Sequence, residues 1–280
     1  MHPVYVHIKK ELSPFYAEEE ASAMAKWISS DILHLSTLEL YTGKDMNFST
    51  KEWAELEDIL RRLKQREPLQ YILQEASFCG RSFHVEQGVL IPRPETEELV
   101  EWIVSDYREA GQVRILDIGT GSGCIPVSLA QLLPEAQVSS CDVSAEALRI
   151  ATTNVKRYGD KVTLFCADIL KEELPECQVD VLVSNPPYIT ESERTDMEAN
   201  VLDWEPELAL FVPDSDPLRF YRRIARKGLD WLSEGGALYF EINRAYGTET
   251  VRMLEELGYR QIELRKDLSG NDRMIKAIRP

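Results

Sequence analysis

The stretch Asn185-Pro186-Pro187-Tyr188 carries the residue types best suited to chemistry in this chain. It follows Val181-Leu182-Val183-Ser184, an aliphatic run that reads as a buried strand. Two prolines cannot continue a ladder, so the strand ends in a stiff turn. Asn185 offers a side-chain carbonyl that accepts and an amide that donates, whereas Pro186 and Pro187 have carbonyls that can only accept. Tyr188 adds a flat aromatic face. Two acceptors and a ring form a cradle for a planar NH2 group, such as an amide or an exocyclic base nitrogen. The delocalised lone pair of such a nitrogen has to be aimed before it attacks anything. The bland alternative is an Asn-Pro turn with a packing tyrosine.

The elements that must position this turn follow an alternating pattern from Val113 onward, strand then helix, which implies a parallel sheet with right-handed crossovers. Arg114–Ile118 reads as the first strand and Gly119-Thr120-Gly121-Ser122-Gly123 as the turn into a helix beginning near Ile125. Glycines there let a ligand approach the backbone and leave helix N–H groups free. Gln137–Asp142 is a second strand ending in an acid placed to accept two ribose hydroxyls, with a cap before Ser144 as the competing role. Val162–Asp168 is the third, and the strand into Asn185 the fourth. Gly236–Glu241, Tyr259–Leu264 and Met274–Ile278 complete seven, the last two joined by a hairpin at Gly270-Asn271-Asp272.

A glycine turn alone also suits dinucleotides, but two residues tilt it away from them. Asp117 precedes the glycines, where a carboxylate disfavours a pyrophosphate and welcomes a cationic amino-acid moiety, and Cys124 holds the place of the third dinucleotide glycine. With Asp168 and Asn185 the row of strand ends fits S-adenosylmethionine, a nucleoside with a zwitterionic tail.

Before this domain, residues from about Pro14 to Glu67 read as all helix, with Ala21, Met24, Ala25 and Ile28 on one face, Ile32 and Leu35 opening another segment, and Gly43 as a stop. Ser49-Thr50-Lys51-Glu52 is a capping box ahead of the stripe Trp53, Leu56, Ile59, Leu60 and Leu63. These stripes are core, without chemistry of their own. Phe78–Val85 alternates like a strand pair bending near Gly80. Pro92-Arg93-Pro94-Glu95-Thr96-Glu97 then enters a helix carrying Leu99, Val100, Ile103, Val104 and Tyr107, with Glu95 or Thr96 at its mouth. The expected layout is a helical domain over 1–75, a hairpin linker over 76–92 and an α/β domain over 93–280.

Composition bounds the partners. The 280 residues, 44% hydrophobic and 29% charged, suit a globular protein. No apolar run is long enough to span a bilayer and the start lacks a signal-peptide pattern, so a cytoplasmic protein with no membrane partner is expected. Five scattered cysteines without a C-x-x-C pair, and four histidines, indicate neither a disulfide framework nor a metal site. A net charge of -16 weighs against a nucleic-acid partner. The densest basic groups, Arg61-Arg62-Leu63-Lys64 and Arg222-Arg223-Ile224-Ala225-Arg226-Lys227, read as solvated helix faces.

Several blocks together resemble the peptide chain release factor N(5)-glutamine methyltransferases, the HemK/PrmC-type family: Pro68-Leu69-Gln70-Tyr71-Ile72, Ile91-Pro92-Arg93-Pro94-Glu95-Thr96-Glu97, Asp117 to Gly123 and Asn185-Pro186-Pro187-Tyr188. Glu205–Leu210 and Asp267–Arg273 are similar to later family blocks. Adenine methyltransferases share the Asn-Pro-Pro-Tyr motif but lack its pairing with Pro-Arg-Pro-Glu-Thr. The resemblance implies a Rossmann-like class I methyltransferase sheet, mostly parallel, behind a small N-terminal helical bundle that docks the partner. It implies methyl transfer from S-adenosylmethionine to the Gly-Gly-Gln glutamine amide of bacterial class I release factors. Asp117, Gly119, Thr120, Gly121, Ser122, Gly123, Asp142, Asp168, Ile169 and Asn185 are then expected on the cofactor. Asn185, Pro186, Pro187 and Tyr188 are expected on the substrate, with Asn185, Pro186 and Tyr188 catalytic. The chain departs from the family at Gln74, where glycine is usual, and at Phe240-Glu241-Ile242-Asn243-Arg244, where Glu-Ile-Gly is common. Two other classes compete: an adenine N6-specific nucleic-acid methyltransferase using the same cradle on a flipped base, and a non-catalytic cofactor-binding module.

Overall fold

The computed structural model describes residues 1–43, 48–171 and 177–280, which form two compact units, Met1–Leu73 and Gln74–Pro280. The first unit is helical: α1 (Pro3–Leu12), α2 (Glu18–Trp27), a π-helical turn over Ile28–Ile32, α3 (Thr37–Thr42), α4 (Thr50–Lys64) and α5 (Leu69–Leu73). Helix α1 lies ahead of the expected helical region, and Pro14 falls in the break that follows it. Its own signals are local: Pro3 at the first turn, His2 accepting the Val4 N–H, and Val4, Ile8 and Leu12 buried at i, i+4 spacing. Gly43, at φ +66°, terminates α3, and Ser49 and Glu52 cap α4 reciprocally. The 44–47 part of the expected helical region lies outside the described residues.

The second unit opens with a hairpin, β1 (Glu75–Phe78) and β2 (Arg81–His84), turning at Cys79 and Gly80, both at positive φ. Phe78 and Phe83 are buried in this unit's core. Then come α6 (Pro94–Tyr107), β3 (Arg114–Ile118), α7 (Cys124–Leu132), β4 (Gln137–Asp142), α8 (Ala145–Arg157), β5 (Val162–Cys166) and β6 (Val179–Ser184). After β6 follow the short strand β7 (Ile189–Thr190), α9 (Ala199–Trp204), β8 (Phe211–Val212), α10 (Arg219–Trp231), β9 (Leu232–Glu241), α11 (Gly247–Glu256), β10 (Arg260–Lys266) and β11 (Asp272–Ile278). The expected strands are all present, with ends moved by a few residues.

Seven strands form one sheet in the order β10-β11-β9-β6-β3-β4-β5, with β11 running antiparallel to both its neighbours and the central pairs parallel. Alternation along β6 splits the core between two faces. Val181 and Val183 join Ile115, Leu99 and Val100 on one side, while Leu182 joins Leu116, Leu238, Ile224 and Leu254 on the other. Both faces are therefore covered, as a parallel sheet requires. The chain winds outward in opposite directions from β3 and β6, so a crevice opens past their carboxyl ends. No helix of the described residues is long and apolar enough to cross a membrane.

Candidate active site

Strand register brings the predicted residues into one row. Ile118 pairs with Ser184 and with Cys141, Asp142 pairs with Cys166, and Ser184 pairs with Phe240. The next residues, Gly119, Asn185 and Glu241, therefore sit level at the strand ends. The Ser184 hydroxyl donates to the Ile118 carbonyl at 2.7 Å and ties the two central strand ends together. A cavity lies across this row, lined by Gly119, Thr120, Gly121, Ser122, Asp142, Asp168, Ile169, Asn185, Pro186 and Pro187 among others.

The glycine turn is shaped by what its neighbours tolerate. Gly123, at φ +82°, opens α7, and a Cβ there would come within 3.2 Å of the Ala151 side chain. Gly121, at φ +51°, turns its N–H onto Asp142 Oδ2 at 3.0 Å. Asp142 Oδ1 accepts the Ser144 N–H at 2.9 Å, so the carboxylate braces the turn and the approach to α8 while still lining the cavity. The cap of α8 is Ser144 itself, whose hydroxyl accepts the Ala147 N–H at 3.2 Å, so Asp142 holds the cap residue rather than serving as the cap. The Thr120 hydroxyl is buried with no hydrogen-bond partner among the described residues, although the residue lines the cavity. A buried hydroxyl in that condition is a group that a ligand would satisfy.

Asp117 does not line this cavity. It is wholly buried beneath the turn, with Oδ2 accepting the Ser140 hydroxyl at 2.5 Å and Oδ1 unpartnered among the described residues. Burial pushes its carboxyl up to about 7, against the Ser140 hydrogen bond. Because the folded-state value is raised, ionisation opposes folding: stability is fully present below about pH 4 and is lost as pH rises towards 7. Asp117→Asn is expected to flatten that decline, by on the order of 2–4 kcal/mol between pH 4 and 8 in urea titrations of the cofactor-free protein. Parallel pH profiles for the two proteins would contradict the assignment.

Asn185 is fixed from behind. Its Nδ2 donates to Thr96 Oγ1 at 3.1 Å, and the Thr96 hydroxyl in turn donates to Glu241 Oε2 at 2.6 Å. The Tyr188 hydroxyl donates to Glu241 Oε1 at 3.0 Å. Burial drives the Glu241 carboxyl above the ordinary range, opposed by these two hydroxyls and by the charge of Arg273. Burial beside Glu241 likewise raises the Tyr188 phenol. Tyr188 thus departs from the stacking face expected of it: its ring packs against the second core cluster and is not on the cavity wall. Pro186 and Pro187 are on the wall, beside Asn185.

Two further links went unread in the sequence. Glu205, its side chain 1% exposed, accepts from Arg93 at 2.5 Å and from the Ile91 N–H at 3.2 Å. Arg93 itself faces the cavity. The Pro-Arg-Pro-Glu-Thr block is thereby anchored at both ends, on Glu205 and on Glu241. One of the two departures finds a physical role, and the other does not. Gln74 sits at φ +56°, a conformation easier for glycine, and Asn243 donates to the Tyr188 carbonyl at 3.0 Å and to Glu193.

Comparison with known proteins follows the same division of the chain. Residues 5–73 match the family described as PrmC N-terminal domain, and residues 96–203 the one described as Methyltransferase small domain. A release factor glutamine methyltransferase from Bacteroides thetaiotaomicron is 50% identical over 280 residues, covering 100% of both chains. The chain belongs to the release factor glutamine methyltransferase family.

Another family member, from Flavobacterium psychrophilum, is 42% identical over 95% of this chain and 94% of its own. A solved methyltransferase from Pyrococcus furiosus shares the fold at 16% identity, with a TM-score of 0.52 over 82% of this chain and 98% of that one. The sheet is accordingly the Rossmann-like class I methyltransferase sheet expected from the sequence. Within this glutamine methyltransferase family fold, the cavity occupies the crevice where the strand order reverses.

Proposed function

We propose that the chain methylates the side-chain amide of the Gly-Gly-Gln glutamine of bacterial class I release factors, with S-adenosylmethionine as methyl donor. The observation that carries this reading is the orientation of Asn185. With one Nδ2 hydrogen committed to Thr96, Oδ1 is the amide's acceptor at the opposite end of the group, and Asn185 and Pro186 share the cavity wall. Two acceptors side by side match the two hydrogens of a primary amide.

The cofactor's place is supported by the glycine turn, the unpartnered Thr120 hydroxyl, and Asp142 and Asp168 at neighbouring strand ends. Gly119, Gly121 and Ser122 form the floor, whereas Gly123, expected on the cofactor, is not on the cavity wall and instead opens α7 against Ala151; Ile169 adds an apolar contact, and Asp142 accepts ribose hydroxyls. Asp117 acts from beneath, through the turn. S-adenosylmethionine supplies an electrophilic methyl carbon on a sulfonium. Asn185 Oδ1 and the Pro186 carbonyl accept the two amide hydrogens and hold the nitrogen lone pair towards that carbon. As the N–C bond would form, the methyl C–S bond would break with its electron pair returning to sulfur to leave a neutral thioether, and the amide proton, made acidic, would leave to solvent, so the chain needs no dedicated base before attack.

Ion pairing occupies part of the basic helix faces, which weighs against DNA as the substrate. Arg62 pairs with Glu67, Lys64 with Glu11, Arg61 with Asp58 and Arg222 with Asp216. Transfer of labelled methyl to purified release factor tests the reading, with the target glutamine changed to alanine as control and adenine-containing DNA in parallel. Label on the intact factor alone is expected; label on DNA alone would overturn the substrate assignment while keeping the cradle.

A further inference from the structure

Glu241 lies behind the cradle and is 1% exposed, a depth at which a carboxylate is tolerated only when its oxygens are satisfied. Both are, by the Thr96 hydroxyl at 2.6 Å and the Tyr188 hydroxyl at 3.0 Å. Burial raises this carboxyl, and the two hydroxyls and the charge of Arg273 oppose it. The direction of the chain is set by geometry: the Thr96 hydroxyl is the donor to Oε2 and the Tyr188 hydroxyl the donor to Oε1. Thr96 has one proton, already directed at Glu241, so towards Asn185 its oxygen can only accept. The atom of Asn185 that faces it at 3.1 Å must then be Nδ2. Donor direction passes one way along the chain Asn185, Thr96, Glu241, and leaves the carbonyl end of Asn185 for the cavity.

We propose that Glu241, acting through Thr96, is a positioning residue that sets which end of the Asn185 amide meets the substrate, and so makes the site select glutamine over glutamate. The inference rests on the proposed function, in which Asn185 Oδ1 takes a hydrogen of the target amide. A glutamate side chain has the same length but presents oxygens to the Asn185 and Pro186 oxygens, with no hydrogen between them. Sites whose polar groups are matched to one partner reject the unmatched analogue by roughly 10⁴-fold or more.

The lock is open to inversion. In Glu241→Gln one position turns from acceptor to donor. When that NH2 faces Thr96, the hydroxyl proton swings to Asn185, the amide of Asn185 turns over, and the cavity meets a donor. Thr96→Val keeps the side chain's shape and releases Asn185 to adopt either orientation. Thr96→Ser keeps the hydroxyl and therefore the lock.

The test compares these three variants with the full-length wild-type enzyme, using release factor bearing glutamine as substrate and the factor bearing glutamate at that position as inhibitor. Cofactor affinity by calorimetry and Tm are measured alongside. In Glu241→Gln and Thr96→Val, kcat is expected to fall by about 10- to 100-fold while inhibition by the glutamate-bearing factor tightens by about 10-fold or more. Thr96→Ser restores both towards wild type. An unchanged preference for glutamine over glutamate in the Gln and Val variants, whatever happens to Tm or kcat, would overturn the proposal and leave Glu241 a buried strut. Failure of wild-type enzyme to methylate the glutamine factor would instead sink the functional reading beneath it.

Discussion

Replacing Asn185 by alanine is expected to lower kcat by about 10²- to 10³-fold at saturating cofactor, the size of effect seen when one preorganised polar group is removed from a reacting centre. The side chain carries one of the two acceptors at the cradle, and its other end is held by Thr96 at 3.1 Å. An acceptor already fixed in place costs no reorganisation when the amide hydrogens become more acidic in the transition state. The Pro186 carbonyl remains in the variant, so substrate still docks but one hydrogen is left without a partner. The loss should therefore fall on turnover more than on KM for release factor. Folding is not at issue, because the side chain lies at a strand end rather than in either core cluster. An Asn185→Ala enzyme with near-normal kcat would refute the cradle.

The second large effect is expected on cofactor binding. Asp142 accepts the Gly121 N–H at 3.0 Å and the Ser144 N–H at 2.9 Å, and in the proposed role it also accepts ribose hydroxyls. Asp142→Ala removes a charged acceptor from the ligand and slackens the turn under it. Hydrogen bonds to a charged group contribute about 1.5–3 kcal/mol each, so loss of one raises the Kd for S-adenosylmethionine by roughly 10- to 150-fold. Turnover at saturating cofactor should change much less, since Asp142 is not among the acceptors facing the amide. Calorimetry reads the first quantity and steady-state kinetics the second. An unchanged Kd would reduce Asp142 to a brace for the turn and the α8 cap.

These two variants divide the row of strand ends into a binding part and a reacting part, and much of that row could be read in advance. Aliphatic runs such as Val181–Val183 have only one way to be buried, between two layers of helix, and each ends in a residue that cannot continue the ladder or is polar. Parallel register then puts successive strand ends level, which is why Gly119, Asp142 and Asn185 converge although they are far apart in the chain. Local pattern does not report which way a side chain turns at such an end. Asp117 resembled a cavity carboxylate and is buried under the turn; Tyr188 resembled a stacking face and points its hydroxyl at Glu241.

Links of long sequence separation were the least legible. Thr96 reads from sequence as a helix-start residue, and it lies in the first turn of α6, which begins at Pro94, but its hydroxyl is used 145 residues away on Glu241. Nothing in the spacing around either residue signals the other. The Pro-Arg-Pro-Glu-Thr block offered a hint only through its resemblance, because two prolines that stiffen an entry say that something must be held without saying what. Helix α1 was missed for a different reason. Its apolar spacing of Val4, Ile8 and Leu12 is regular, but Pro14 drew the expected start of the helical region past it.

The central claim is that the cradle aims an amide nitrogen at the transferred methyl. Its most direct test is tandem mass spectrometry of release factor incubated with wild-type enzyme and S-adenosylmethionine, with fragmentation that locates the added methyl. The account predicts it on the side-chain nitrogen of the Gly-Gly-Gln glutamine, and on that atom alone. A methyl on any other residue of the factor would contradict it, whatever the rate at which it was transferred.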